Sequence, residues 1–275
     1  MFDFEDRARP LLKWAGGKSS LLPQLTIHFP QNFNRYVEPF FGGGAVYFAL
    51  RNTNIPAILN DRNQELFNLY LVAKNHPTEL MNALNTLTKK YSEQFYYELR
   101  SENPDDAIEK AARTVFLNKT GFNGLYRQNS KGNFNVPFGK RVTCPALYDY
   151  DNLMLVSQKL EKTDFKNLDF EEIIKQSGED DFVYCDPPYE PLSTTSSFNA
   201  YTAGGFSQND QVRLRDACAA AVQRGAFVAV SNSSAEFIKE IYKEWNVRII
   251  KAKRNINSKA SARGEIDEVL VLMTK

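Results

Sequence analysis

The stretch Asp186-Pro187-Pro188-Tyr189 contains the residue types that most directly suggest chemistry. It follows the apolar segment 182–185, which predicts a short strand. The strand must end at the aspartate, because proline cannot donate to a sheet ladder. A residue before proline is pushed into extended geometry, which directs Asp186 off the end of the strand. Open α/β sheets bind ligands at the carboxyl ends of their strands, so we expect Asp186 to face a ligand.

A carboxylate, a prolyl carbonyl and an aromatic ring suit an amino group conjugated to an aromatic base, such as N6 of adenine. The lone pair of this amino group is delocalised into the ring, which makes the nitrogen a poor nucleophile. Two acceptors on its hydrogens, the Asp186 carboxylate and the Pro187 carbonyl, would localise the lone pair and stabilise developing positive charge. We predict Asp186, Pro187 and Tyr189 as catalytic, with Tyr189 stacked on the base. For the tetrapeptide alone, a tight turn at a strand end is the alternative.

A second informative segment, residues 35–50, predicts a strand, a turn containing Gly42-Gly43-Gly44, and an apolar helix. Such a turn lets a cofactor approach the backbone and the helix N-terminus. Tyr47 occupies the position of the third glycine of the dinucleotide fingerprint, which indicates a cofactor without a pyrophosphate. Asp61 ends the next predicted strand, about 20 residues past the turn, where an acidic side chain commonly binds ribose hydroxyls. S-adenosyl-L-methionine (AdoMet) has a ribose and no diphosphate.

Near the N-terminus, Gly16-Gly17-Lys18-Ser19 resembles part of a phosphate-binding loop. Leu12 occupies the position of the first glycine of that motif, and no strand precedes it, so the sequence disfavours an NTPase. Paired glycines beside Trp14 and Lys18 still indicate a backbone that approaches a flat, anionic ligand. A simple turn at the start of a helix is the alternative.

Residues 110–141 contain seven lysines and arginines and no acidic residue, interleaved with glycine, asparagine and aromatic side chains. Lysine and arginine neutralise phosphates, arginine and amides read base edges, and rings wedge or stack. The segment therefore predicts a nucleic-acid interface in a loop-and-hairpin insert outside the parallel sheet.

Hydrophobic spacing and helix-end signals predict the elements that position these motifs. Asp105 and Asp106 are predicted near the first two positions of a helix, where the helix dipole favours anions, and Ser207 is a predicted cap. Besides the strand before the glycine turn, we predict strands within 57–61, 162–170, 182–185, 226–232, 247–250 and 269–273, and helices at 63–74, 77–103, 107–119, 145–162 and 208–224.

The chain of 275 residues is long enough for one large domain or a domain with an insert, and 43% of its residues are hydrophobic. Its formal net charge of +1 says little about partners, whereas the uneven distribution of charge does. Three separated cysteines and two isolated histidines lack metal-ligand spacing, so no metal is expected. Without a signal peptide or an apolar run of about 18 residues, the sequence predicts a cytoplasmic protein.

Six motifs together resemble the DNA adenine methylase (Dam) family of N6-adenine methyltransferases. They stand in the family's order and are Leu12–Lys18, Glu38–Gly44, Asn60-Asp61, Phe122–Arg127, Phe134–Gly139 and Asp186–Tyr189. The resemblance implies an α/β fold of the class I AdoMet-dependent methyltransferases, Rossmann-like, with a mostly parallel sheet, helices on both faces and a helical and hairpin target-recognition insert. It implies a catalytic domain over 10–75 and 145–275 and a DNA-recognition insert over 76–144.

The resemblance also implies residue roles. AdoMet is the expected cofactor, and its expected binding residues are Trp14, Lys18, Glu38, Phe40, Gly42, Asp61 and Asp186. Double-stranded DNA is the expected substrate, and its expected binding residues are Lys13, Phe122, Asn123, Leu125, Arg127 and Pro137. Arg127 is expected to read a guanine, and Phe122 to insert as an aromatic wedge. The expected target is the adenine of GATC, which must leave the base stack to reach Asp186.

Three alternatives stay open. Cytosine N4 poses the same chemical problem as adenine N6, so an N4-cytosine DNA methyltransferase is the first. The second is a catalytically dead DNA-binding module, against which the intact Asp186–Tyr189 motif argues. The third is an RNA or protein methyltransferase, against which the basic insert argues.

Overall fold

The computed structural model describes residues 7–50, 55–129, 132–192, 205–253 and 265–275. Within these ranges the strands, in chain order, are β1 (Arg35–Glu38), β2 (Ala57–Asn60), β3 (Thr163–Lys166), β4 (Asp181–Cys185), β5 (Phe227–Ser233), β6 (Asn246–Lys253) and β7 (Glu265–Met273). They form one seven-stranded sheet in the order β3-β2-β1-β4-β5-β7-β6. The predicted α/β fold class is confirmed.

The centre of the sheet is parallel and one side of it is antiparallel. β4 runs parallel to β1, with Val183 opposite Val37, and parallel to β5, with Cys185 opposite Val230. β7 runs antiparallel to both β5 and β6. All five residues of β4 are buried, as expected of a strand with both faces covered. The sheet is therefore mixed, and β4 is flanked by parallel strands on both sides.

Ten α-helices occur within the described residues. They are α1 (Leu22–Thr26), α2 (Ala45–Phe48), α3 (Gln64–Asn75), α4 (Pro77–Lys89), α5 (Glu93–Ser101), α6 (Ala107–Thr120), α7 (Tyr150–Leu160), α8 (Phe170–Ile174), α9 (Gln208–Gln223) and α10 (Glu236–Ile241). A single turn of 3-10 helix spans Phe122–Gly124. Within this part of the chain, no helix is both long enough and apolar enough to cross a membrane.

Side-chain caps determine where several helices begin. Ser207 caps α9, as predicted. The sequence predicts Asp106 inside the first turn of a helix, whereas in the structure it is the cap of α6 and accepts hydrogen bonds from Ile108 N and Glu109 N. Residues 77–103, predicted as helical throughout, instead form α4 and α5, because the Ser92 side chain accepts from Phe95 N and starts a new helix there. The helix predicted over 145–162 begins only at Tyr150, after its cap Asp149.

The chain folds into two compact units. The first comprises Met1–Ser19, Phe41–Asn54 and Leu59–Asn167, and the second comprises Ser20–Phe40, Ile55–Ile58 and Leu168–Lys275. The division of function between a catalytic domain and an insert over 76–144 stays a prediction.

Each unit has its own core. In the first, α6 packs against α3 and α4, and α7 also packs against α3. Around Phe41 in this unit, the rings of Phe48, Tyr70 and Phe165 lie edge-on at centroid distances of 5.7, 4.9 and 5.1 Å. In the second unit, apolar side chains of β1, β4, β5, β7, α8 and α9 form a continuous buried cluster. Cys185, the last residue of β4, belongs to this cluster, so the strand is packed on the core up to the residue before Asp186.

Candidate active site and DNA-binding segment

In the second unit, carboxylates gather at the carboxyl ends of the parallel strands. Glu38 is the last residue of β1, and Asp186 follows β4, its parallel neighbour. Glu268 on β7 lies opposite Ser233, the last residue of β5. We call Glu38, Asp186 and Glu268 the acidic edge. Glu38 is 2% exposed, whereas Asp186 is half-buried and can meet a ligand.

The pKa values of two tyrosines respond to the carboxylates of the acidic edge. Burial raises the pKa of Tyr184 well above its usual value, and Asp186, Glu38 and Glu268 raise it further, with a hydrogen bond to Ser231 opposing them. Burial, Asp186 and Glu268 likewise raise the pKa of Tyr189. The three carboxylates thus create a negative potential, which favours a ligand that carries or develops positive charge.

The rest of the Asp186–Tyr189 motif takes a defined arrangement. Pro187 is buried, and Pro188 is exposed. The Tyr189 hydroxyl donates to Glu268 Oε2 at 2.8 Å, which ties the ring to the acidic edge. Phe40, also in this unit, is half-buried, with its ring 5.4 Å from Phe170 and 5.6 Å from Phe206 between centroids.

In the first unit, the glycine turn is fixed by polar side chains. Gly42 N donates to Asp61 Oδ2 at 2.8 Å, and the Tyr70 hydroxyl donates to the Gly43 carbonyl at 3.0 Å. The other Asp61 oxygen accepts from Asn63 N at 2.8 Å. Burial raises the pKa of Asp61, and these two backbone hydrogen bonds oppose the rise. Asp61 and the turn, predicted separately, therefore lie in direct contact.

Trp14 packs on the same turn. A Cβ added at Gly42 would lie 3.1 Å from Trp14 Cδ1, closer than an ordinary contact, and Gly42 has a left-handed φ of 51°. The position therefore requires glycine. The Trp14 ring also contacts the Tyr126 ring, with 4.6 Å between the ring centroids and 35° between the ring planes. Lys18 is buried, and its Nζ donates to the Gly16 carbonyl at 2.5 Å.

A buried amide joins Lys13 to the predicted DNA-binding segment. Asn118, on α6, donates through Nδ2 to the carbonyls of Lys13 and Gly124, both at 3.0 Å. Its Oδ1 accepts from Lys13 N at 3.3 Å. Gly124 has a φ of 63°, and a Cβ there would lie 3.1 Å from Lys13 Cδ. Two regions about a hundred residues apart in sequence are thereby brought together.

The remaining predicted DNA contacts lie around the 3-10 turn. Phe122 is 50% exposed, and its backbone N–H donates to the Pro137 carbonyl at 2.9 Å. Asn123 is exposed with a left-handed φ of 54°, while Leu125 is half-buried. Arg127 is exposed, and its Nε donates to Asn135 Oδ1 at 2.7 Å. Backbone bridges pair Gly121 with Phe138 and Gln128 with Phe134, which forms the hairpin. Residues 130 and 131, part of the predicted interface, lie outside the described residues.

Known proteins with similar sequences decide the family. A profile described as D12 class N6 adenine-specific DNA methyltransferase matches residues 14–256. The chain belongs to this family. The methyltransferase is 42% identical over 271 residues to the Type II methyltransferase M1.LlaDCHI of Lactococcus lactis subsp. cremoris, covering 96% of this chain and 94% of that relative.

Two further relatives extend the comparison. The methyltransferase is 38% identical over 285 residues to the Type II methyltransferase M.MjaIII of Methanocaldococcus jannaschii, covering 96% of this chain and 98% of the relative. It is 34% identical over 274 residues to the DNA adenine methylase of Vibrio cholerae, with coverages of 98% and 97%. The predicted family, enzyme class and DNA substrate are thus confirmed. Across the described parts of the methyltransferase, no cluster of three or more His, Cys, Asp or Glu side chains is arranged to hold a metal ion.

Sequence reasoning missed two residues that the structure places at these sites, Glu268 and Asn118. Glu268 gives no signal in the sequence, because a single acid just before the strand predicted at 269–273 resembles any other strand-end charge. Asn118 has a recognisable signal, since it follows Ala111 and Val115 at helical spacing on the buried face of α6. A polar residue on an apolar stripe usually has a buried partner.

Proposed function

We propose that the enzyme transfers a methyl group from AdoMet to N6 of adenine in duplex DNA, within GATC, with the target base rotated out of the stack. The observation that carries this proposal is the acidic edge, where the half-buried Asp186 carboxylate is followed by a prolyl carbonyl. The family assignment supports N6 of adenine as the acceptor. The Vibrio cholerae relative is named a DNA adenine methylase, which supports the same substrate class.

The chemistry follows from the acceptors at Asp186 and Pro187. Hydrogen bonds from N6 to the Asp186 carboxylate and the Pro187 carbonyl localise the nitrogen lone pair. As N6 attacks, it gains positive charge, which Asp186 stabilises most directly and Glu38 and Glu268 stabilise at longer range. Tyr189, tied to Glu268, presents its ring for stacking on the extruded base. No covalent bond between enzyme and substrate is required.

The residues present fit AdoMet. Because Gly42 has no side chain, its backbone and the adjacent Trp14 ring leave open the space that a Cβ at position 42 would occupy. Asp61 offers carboxylate oxygens for ribose hydroxyls. We assign Lys18, Glu38 and Phe40 to the same binding role. When bound, AdoMet supplies an electrophilic methyl group on a positively charged sulfur.

We assign DNA recognition to the segment that Asn118 holds together. Lys13, Asn123, Leu125 and Pro137 contact the DNA, and Arg127 reads a guanine through its guanidinium group. The exposed Phe122 ring occupies the space that the rotated adenine leaves. The excess of cations over residues 110–141 neutralises phosphates.

The test combines the enzyme, AdoMet with a labelled methyl group, and matched duplexes that contain GATC or the scrambled site GTAC. Nucleosides from the digested DNA are then separated. We expect labelled N6-methyladenine from the GATC duplex alone. Equal labelling of both duplexes would overturn the assigned target. Labelled N4-methylcytosine would establish the cytosine alternative, and DNA binding without any transfer would establish the dead binding module.

A further inference from the structure

The turn after Asp186 lacks backbone hydrogen-bond donors at its two prolines. Pro187 and Pro188 have no backbone N–H, so this part of the turn has carbonyl acceptors and no donors. A segment of this kind can be held only by side chains that donate to its carbonyls, or by N–H groups further along the chain. The structure uses both means, and the side chains involved lie on α9 and β5 in the same unit.

Two buried amides form a continuous chain of hydrogen bonds from one end of the turn to the other. Gln211 Nε2 donates to the Pro188 carbonyl at 2.9 Å. Gln211 Oε1 accepts from Asn232 Nδ2 at 3.0 Å. Asn232 Oδ1 in turn accepts from Glu190 N at 3.1 Å. The Ser233 hydroxyl adds a bond to the Glu190 carbonyl at 2.6 Å. Gln211 and Asn232 are both fully buried.

This chain of hydrogen bonds requires amide side chains at positions 211 and 232, because each of the two side chains must donate one hydrogen bond and accept another. A carboxylate at position 211 could still accept from Asn232, but it would place a second acceptor against the Pro188 carbonyl. A carboxylate at position 232 could still accept from Glu190 N, but it could no longer donate to Gln211. Either change would also bury a charge without a counter-ion. Aliphatic residues of similar size would remove the bonds and leave the volume filled.

We propose that Gln211 and Asn232 are positioning residues that hold the Pro188–Glu190 turn, and with it the Pro187 carbonyl and the Tyr189 ring, in the geometry that methyl transfer requires. Both side chains are fully buried, so they are assigned a role through the turn and none in direct contact with AdoMet or DNA. This proposal rests on the proposed function, because it assigns the turn to catalysis.

The decisive variant is Gln211→Glu, which exchanges one donor for an acceptor. A displacement of about 1 Å at a reacting group costs about 100-fold in rate, so we expect a loss of kcat of that order. The dissociation constant for AdoMet, measured without DNA, should be unchanged, because the Pro188–Glu190 turn is assigned to the target base and not to AdoMet. Gln223→Glu, exposed at the end of the same helix, is the matched control and should retain full kcat.

The pH profile separates positioning from general damage. When protonated, the introduced carboxyl can donate to the Pro188 carbonyl and restore the chain. The ratio of kcat for Gln211→Glu to kcat for the wild type should therefore rise as the pH falls. Gln211→Met cannot be rescued in this way, and its ratio should not vary with pH.

A double-mutant cycle adds a second test. Because Gln211 and Asn232 are hydrogen-bonded to each other, Gln211→Met combined with Asn232→Leu should lower kcat by less than the product of the two single effects. Fully multiplied effects, a ratio of Gln211→Glu kcat to wild-type kcat that stays at one across the whole pH range, or an equal loss of AdoMet affinity would each overturn the proposal. So would unfolding of both Gln211 variants, which would make the network purely structural. If instead the wild type transfers no methyl group to adenine, it is the proposed function that fails.

Discussion

Replacing Gly42 with alanine isolates the contact between the glycine turn and Trp14. The added Cβ would lie 3.1 Å from Trp14 Cδ1, so the ring must shift by a few tenths of an ångström. Alanine must also adopt the left-handed φ of 51°, which costs about 1–2 kcal/mol. The backbone bond from residue 42 to Asp61 does not involve the side chain and should be retained.

The two costs can be separated with Gly132→Ala. Gly132 also has a left-handed φ, of 80°, but an added Cβ there meets no atom within 4 Å. Both variants should lose about 1–2 kcal/mol of unfolding free energy from backbone strain. A well-placed aromatic contact is worth about 0.5–1.5 kcal/mol. Gly42→Ala should therefore raise the Kd for AdoMet by about two- to tenfold, whereas Gly132→Ala should leave it unchanged.

Isothermal titration with AdoMet, without DNA, measures the two Kd values, and urea unfolding measures the two stabilities. An unchanged Kd in folded Gly42→Ala would refute the assignment of the Trp14 and Gly42 surface to AdoMet. A loss of AdoMet affinity in Gly132→Ala as well would show that backbone strain, and not the ring contact, is responsible.

The remaining predictions concern catalysis, base reading and stability. Asp186→Ala should abolish methyl transfer in a single-turnover assay, because N6 loses its acceptor, and substantial residual transfer would contradict that role. Arg127→Ala should cost about 1–3 kcal/mol of discrimination between GATC and sites with one base changed; an unchanged ranking of sites would show that Arg127 contacts only phosphate. Raising the salt concentration should weaken DNA binding steeply, and a flat titration would remove the basic segment from the interface. Asp106→Ala should lower the free energy of unfolding by about 1 kcal/mol through loss of the α6 cap, whereas Asp105→Ala, one residue before the cap, should have little effect.

Several features could be predicted from sequence because they depend on neighbouring residues. The prolines after Asp186 end β4 through their missing N–H groups, wherever the strand lies in the sheet. Ser207 caps α9 because a short polar side chain can reach the next turn of its own backbone. The start of α6 was predicted at Asp105 and Asp106, but one position off, because Asp106 is the cap and not a residue of the first turn. Helical and alternating hydrophobic spacing identified most elements, although the break at Ser92 within the predicted helix 77–103 was missed.

Contacts between distant segments depend on packing, and spacing along the chain does not encode them. Tyr189 and Glu268 are 79 residues apart, and Lys13 and Asn118 are 105 apart, yet each pair is hydrogen-bonded. In the sequence, Gln211 is only a polar residue on a predicted helix. The fold places Asn232 and Pro188 against it. Sequence alone determined which residues could carry the chemistry and the order of the motifs. Tertiary structure decided which buried amides and carboxylates hold those residues, because a hydrogen bond exists only where packing brings its two partners within reach.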